Sequence, residues 1–175
     1  MKLKVGDSIV YRAHGAGRIA AREQRVILGV KRETVVLDLA DGLSVGLTVE
    51  QAHEQVRPAI DAAGLRRVQR TLRDDAEPGD DVWLKRMKAT QAKVSGGDAL
   101  EVAEVVRDGE RRSQRLNAKG GRVMLSPSEK EICGKARRLL GGEIALSRGL
   151  DLVEADAWIE RQLVAGKVSE ARADL

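Results

Sequence analysis

The sequence predicts an α+β chain: a small β-barrel first, then a compact all-helical region. Residues 1–58 contain short runs rich in β-branched residues, set apart by Gly- and Asp-containing turns. Residues 59–175 carry apolar residues at helical spacing, punctuated by capping and Pro/Gly signals. Apolar residues make up 42% of the chain but aromatic ones only 2%, with no Phe, one Tyr and two Trp. Both parts must therefore pack aliphatic cores, and the position of each large ring carries information.

In the first part, Ser8-Ile9-Val10-Tyr11 is a short strand after the turn-like Val5-Gly6-Asp7. His14-Gly15-Ala16-Gly17 reads as a glycine-rich turn. A mixed run from Arg18 ends in Arg25-Val26-Ile27-Leu28, where Gly29 breaks it. Glu33 to Leu39 is β-branched and bounded by the hairpin dipeptide Asp41-Gly42. Leu43 to Val49 alternates apolar with small or polar residues, so one face is buried. Four or five short strands with tight turns predict an SH3-like or Tudor-like barrel.

In the second part, Ala62 to Leu72 is a short amphipathic helix with Leu65, Val68 and Leu72 on one face and arginines opposite. An acidic, Pro/Gly-containing break covers 74–81. Val82 to Val94 is the next helix, and Ser95-Gly96-Gly97-Asp98 a turn whose Asp98 caps a third helix from 99 to about 115. Asn117 to Gly121 reads as a flexible loop. Ser126-Pro127-Ser128-Glu129 combines a cap, Pro at the first helical position and Glu at the third, and starts a helix running to about Leu146. Its Gly141-Gly142 pair should weaken it by about 1 kcal/mol per Gly. Leu152 to Ala165 is a fifth helix, with Trp158 on its apolar side, and Lys167 to Leu175 a frayed tail. The expected organisation is a β domain at 1–58, a helix and acidic linker at 59–81, a helical domain at 82–165 and a tail at 166–175.

No run approaches the roughly 18 apolar residues of a membrane span, and the polar start at Met1-Lys2-Leu3-Lys4 has no apolar signal core. Cys133 is alone, so an internal disulfide is impossible, and one Cys with two His fits no zinc spacing. A cytoplasmic chain with no metal and no cofactor is expected. The net charge is +4. Residues 81–125 hold ten basic and six acidic side chains, whereas 1–80 hold thirteen and twelve, and 126–175 eight and nine. The positive excess is thus local to the segment beginning beside Trp83, as a phosphate-facing surface requires.

Little supports catalysis. His14 and His53 have no partnered Ser, Cys or Asp that the sequence places near them. The loop at His14 lacks the strand–loop–helix context and Lys-Ser/Thr ending of a phosphate cradle. The acidic residues around Pro78-Gly79 lack calcium-loop spacing. Trp83 is different. It could share a buried face with Met87 and Val94, or it could stand at the helix start as an indole stacking on or wedging between bases, with Lys85, Arg86 and Lys88 beside it for phosphates. The residues alone leave both readings open. Trp158, among Leu152, Ile159 and Leu163, reads as core.

Lys4-Val5-Gly6-Asp7-Ser8-Ile9-Val10-Tyr11 followed by His14-Gly15-Ala16-Gly17-Arg18-Ile19 resembles the opening of the CarD/CdnL family of bacterial transcription regulators. So do Trp83-Leu84-Lys85-Arg86-Met87-Lys88, Ser95-Gly96-Gly97-Asp98, Glu101 to Asp108, Leu125 to Lys130, and Ala136 to Leu146. The match runs in order through residues 2–147. Its N-terminal part alone is shared with the transcription–repair coupling factor.

The resemblance implies a Tudor-like domain that binds the RNA polymerase β subunit and a helical domain that meets promoter DNA. In the family a Trp wedges into the minor groove at the upstream edge of the melted bubble and stabilises the open complex. Trp83 matches that residue, and Lys85 and Lys88, with Arg86 between them, match its basic run. Arg25 matches a polymerase-facing position, and Val26 and Ile27 beside it, with Val45 and Gly46 on another strand, are the further residues expected at the polymerase-binding surface. A monomeric, non-enzymatic regulator of low sequence specificity follows. The alternative is a protein-interaction module with altered or no polymerase docking. Departures favour some change at that surface: Arg12 stands where Pro is frequent, and Gly46 and Thr48 where Arg and Pro are usual. Gly109 stands where an apolar residue is usual, and the loop through Gly121 is longer.

Overall fold

The computed structural model describes residues 3–12, 14–74, 82–118 and 124–173, the last seven positions of α6 (167–173) as backbone. A five-stranded antiparallel sheet is followed by a helical region, the Tudor-like β domain and helical C-terminal domain that the sequence predicts. The strands β1 (Ser8–Tyr11), β2 (Gly15–Ile27), β3 (Val30–Leu39), β4 (Ser44–Thr48) and β5 (Val56–Pro58) lie in the order β4-β3-β2-β1-β5, so β4 and β5 are its edges. Alternation places Ile9, Ile19, Val35, Leu37, Leu39 and Leu47 on the buried face. The β2–β3 hairpin turns at Leu28-Gly29, both at positive φ (51° and 79°), the combination that matches strand twist in a two-residue turn.

Two readings of this part need correction. Gly15-Ala16-Gly17 is not a turn but the start of β2, pairing with Ile9 to Tyr11. Gly17 serves close approach instead: a Cβ there would lie 2.2 Å from the Asp38 carbonyl oxygen. The strand expected through Val49 stops at Thr48, and α1 (Val49–Gln55) follows. Thr48 Oγ1 accepts from the Gln51 amide while Gln51 Oε1 accepts from the Thr48 amide, a capping box that overrides the β propensity of Val49.

The remaining helices are α2 (Ala62–Arg73), α3 (Trp83–Gly96), α4 (Ala99–Ala118), α5 (Pro127–Arg148) and α6 (Leu152–Ala173). Asp98 caps α4, as expected, accepting from the Leu100 and Glu101 amides. Ser126 and Glu129 close the expected box at the start of α5. Asn117 and Ala118, expected in a loop, end α4 instead, and positions 119–121 of that loop lie outside the described residues. So does the acidic break at 75–81, leaving Asp74 as the C-cap of α2. Beyond Lys167, where a tail is expected, the backbone of α6 continues as helix to Ala173.

Val68, Leu72, Ala103, Ala136, Leu140, Ile144 and Ile159 form the centre of the helical core. Trp158 is 7% exposed there, as expected, with the Arg148 guanidinium 5.5 Å above its ring. The helix α5 runs unbroken through Gly141 and Gly142, where an added Cβ would meet Ile159 of α6 and Ala40 beside the sheet only at ordinary contact distance, 4.0 and 3.9 Å. It also packs on β2, although its buried apolar residues all belong to the helical core. No helix among the described residues is long and apolar enough to cross a membrane.

Candidate nucleic-acid interface

The start of α3 is unusually apolar for a surface. Val82, Trp83 and Leu84 are 53%, 48% and 68% exposed. Trp83 is therefore not a core residue: its indole lies against the start of α5, where Nε1 donates to Ser126 Oγ at 3.4 Å. Both Lys85 and Lys88 are exposed one turn apart on the same helix. Half-exposed indole and lysines thus share one end of α3, an arrangement able to pair a flat apolar contact with phosphate neutralisation.

Arg86 is spent differently. Its Nε and Nη2 donate to Glu129 Oε1 at 3.1 and 2.8 Å, and both side chains are largely buried. Glu129 Oε2 accepts from the Ser126 amide at 3.0 Å and its hydroxyl at 2.9 Å. Burial works to raise the Glu129 carboxyl, but the Ser126 amide, Arg86 and the Ser126 hydroxyl outweigh it and hold its pKa below the ordinary range. An unbroken path runs from Trp83 through Ser126 and Glu129 back to Arg86. It ties the first turn of α3 to the first turn of α5 and fixes how the indole is presented.

The second group of expected residues lies on the sheet. Arg25 is 53% exposed and pairs with Glu23 at 2.9 Å. Its guanidinium covers the bare backbone of Gly46, where a Cβ would lie 3.5 Å from Arg25 Nη1. A cation from β2 thus packs at ordinary contact distance over position 46. Val26 is 66% exposed and Ile27 half-buried. Val45 points the other way and packs against the sheet's own core. Val26, Leu28 and Val30 make the hairpin tip an exposed apolar point, with Leu28 almost wholly in solvent. The Trp83 and Arg25 groups lie on different domains and do not converge on one pocket.

The catalytic candidates stay apart. The His14 ring stacks on Tyr11 with centroids 4.5 Å apart, and His53 is an exposed residue of α1. The Cys133 thiol packs against Gly109, and burial, with Glu129 and Asp108 near by, pushes its pKa up, away from a nucleophilic thiolate. Among the described residues no three His, Cys, Asp or Glu side chains converge on a metal position.

Ser126 and Glu129 are the residues that sequence reasoning missed at this interface. Their capping pattern was visible, but its contact with Trp83, 43 positions away, was not. Residues 67–160 match the family described as CarD, C-terminal domain. Residues 3–60 match the CarD-like/TRCF RID domain. A candidate transcription factor of Bacillus subtilis (strain 168), YdeB, is 29% identical over 151 residues, which cover 84% of this chain and 93% of that protein.

Proposed function

The chain belongs to the CarD family, and on that premise we propose that it stabilises the promoter open complex by wedging Trp83 at the upstream edge of the melted bubble. Membership makes it a transcription-related, RNA polymerase-interacting factor. The finer reading adds the β subunit as the docking partner of the sheet, promoter DNA as the target of α3, and a monomer working in the cytoplasm beside the nucleoid.

One observation carries the wedge. A Trp in a chain nearly devoid of aromatic residues stands half-exposed at a helix start, braced by Ser126 and flanked by exposed lysines. Unstacking a base step costs a few kcal/mol. At a fork already melted by polymerase that cost has been met, so the indole adds stability to the open state and none to the closed one. Only such differential binding shifts the equilibrium. Lys85 and Lys88 supply the phosphate contacts, while Arg86 holds α3 against Glu129 and acts as a positioning residue. No base-edge recognition is needed, so promoter choice rests with polymerase and its σ factor.

Docking uses β2 and the edge strand β4. Arg25, lying over Gly46, presents the cation of this surface, with Val26 and Ile27 continuing toward the exposed tip. Gly46 and Thr48 favour a second reading, a sheet retuned toward another protein partner, and pull-down with the isolated β lobe separates the two. The wedge is tested by Trp83→Ala in an open-complex lifetime assay. A shortened lifetime with polymerase binding intact is expected, and an unchanged lifetime overturns the wedge.

A further inference from the structure

Behind the Trp83 edge, α3, α4 and α5 line a partly open cavity of about 270 Å³. Met87, Val105, Ile132 and Cys133 give it apolar walls, and Arg86, Arg112 and Glu129 place charge within it. The charges do not balance. Glu129 Oε1 accepts both bonds from Arg86, at 3.1 and 2.8 Å. Arg112 Nε, itself buried, makes no hydrogen bond, and that same oxygen is 3.5 Å away. Asp108, also on the wall, is taken by Arg107 at 2.8 Å, and Lys93 by Glu104 at 2.6 Å. Two guanidinium groups thus share one carboxylate, and the surplus cation is the one left with an unsatisfied buried donor.

A buried donor without an acceptor is costly, and the Arg112 guanidinium, 27% exposed, shares its nearest carboxylate oxygen with Arg86. An anion entering the cavity relieves both, and the walls select one with an apolar body. We propose that this cavity binds a small amphiphilic carboxylate, its anionic group on Arg112 and its apolar part against Val105, Ile132 and Cys133. The size fits: an apolar cavity of about 150 Å³ holds benzene, so this one accommodates a ring and a short chain. A bare phosphate would satisfy Arg112 but leave the apolar walls uncovered. The assignment is independent of polymerase and DNA, since it rests only on the cavity and its charges. Its occupant would nevertheless touch the network that braces Trp83, through Arg86 and Glu129.

The probe is 4-phenylbutyrate, titrated into the full chain by calorimetry or ligand-observed NMR. For a ligand of this size a dissociation constant on the order of millimolar is expected. The neutral 4-phenylbutanamide should bind about tenfold more weakly, as should the acid to Arg112→Gln, with Arg112→Lys partly restoring it. Inorganic phosphate should compete poorly. Equal binding of acid and amide, phosphate binding as well as the acid, or no binding of the acid overturns the assignment. If Arg112→Gln does not fold, the acid–amide comparison on the unaltered protein still decides.

Discussion

Arg57 of β5 and Glu143 of α5 meet across the boundary between sheet and helices in a two-pronged ion pair. Nη1 reaches Oε1 at 2.5 Å and Nη2 reaches Oε2 at 2.7 Å. The same guanidinium donates through Nε and Nη2 to the Gly97 carbonyl at 2.9 and 2.7 Å, and the Ile60 amide donates to Glu143 at 2.9 Å. Gly97 is the C-cap of α3, and Trp83 is the first residue of that helix. One side chain of the last strand therefore grips both α5 and the far end of the helix that carries the indole. The orientation of the sheet and the orientation of Trp83 are set together.

Removing the Glu143 carboxylate leaves the Arg57 guanidinium partly buried without its counter-charge. Breaking a buried pair in this way costs about 3 kcal/mol, so Glu143→Ala should lower Tm by about 6–12 °C. Thermal unfolding measures it. Adding Arg57→Ala should cost less than the two single changes summed. Strict additivity would show that the two groups do not act as a pair.

Gly109 sits within α4 facing Cys133 of α5. Replacing an interior helical Gly by Ala ordinarily stabilises by about 0.5–1 kcal/mol. Here the new Cβ would lie 2.6 Å from Cys133 Sγ and 3.3 Å from its Cβ, so overpacking wins. Gly109→Ala should destabilise by about 1–3 kcal/mol in urea unfolding. Cys133→Ala in the same chain should recover most of the loss. A stabilised single variant would mean that α4 and α5 separate freely at this point.

Glu129 gives a signed pH dependence. Its folded pKa lies below the ordinary value of about 4.3. Such a group contributes stability that is complete above the unfolded value and is lost as pH falls through the folded one. Glu129→Gln removes that contribution. The stability gap between wild type and variant should be largest near neutrality and shrink as pH drops below about 4.3. Urea unfolding across the acid range reads it directly. A gap that stays constant would place the carboxylate's value in packing rather than charge.

Local chemistry was legible in the sequence wherever neighbours in the chain decide the outcome. The Ser126-to-Glu129 box, the Asp98 cap and the turn ending at Gly29 all stand where their residues predicted. Trp158, Ile159 and Leu163 are buried as their spacing required, whereas Leu152, expected beside them, is 51% exposed. Local chemistry also misled where two signals competed. Thr48 and Gln51 carried a helix start that the β-branched Val49 concealed, and Gly15 to Gly17 served backbone contact rather than a turn.

The sequence by itself determined the division into a sheet and a helical region, because periodicity and capping act over a few residues and need no knowledge of the rest of the chain. It left Trp83 suspended between core and surface. Only the tertiary structure decided that the indole is half-exposed on Ser126, that Arg86 turns inward to Glu129, and that Arg57 reaches Glu143 and Gly97. These partners lie between 40 and 86 positions apart in the chain. Which distant groups meet depends on how whole helices pack, and on which charges burial forces to find one another.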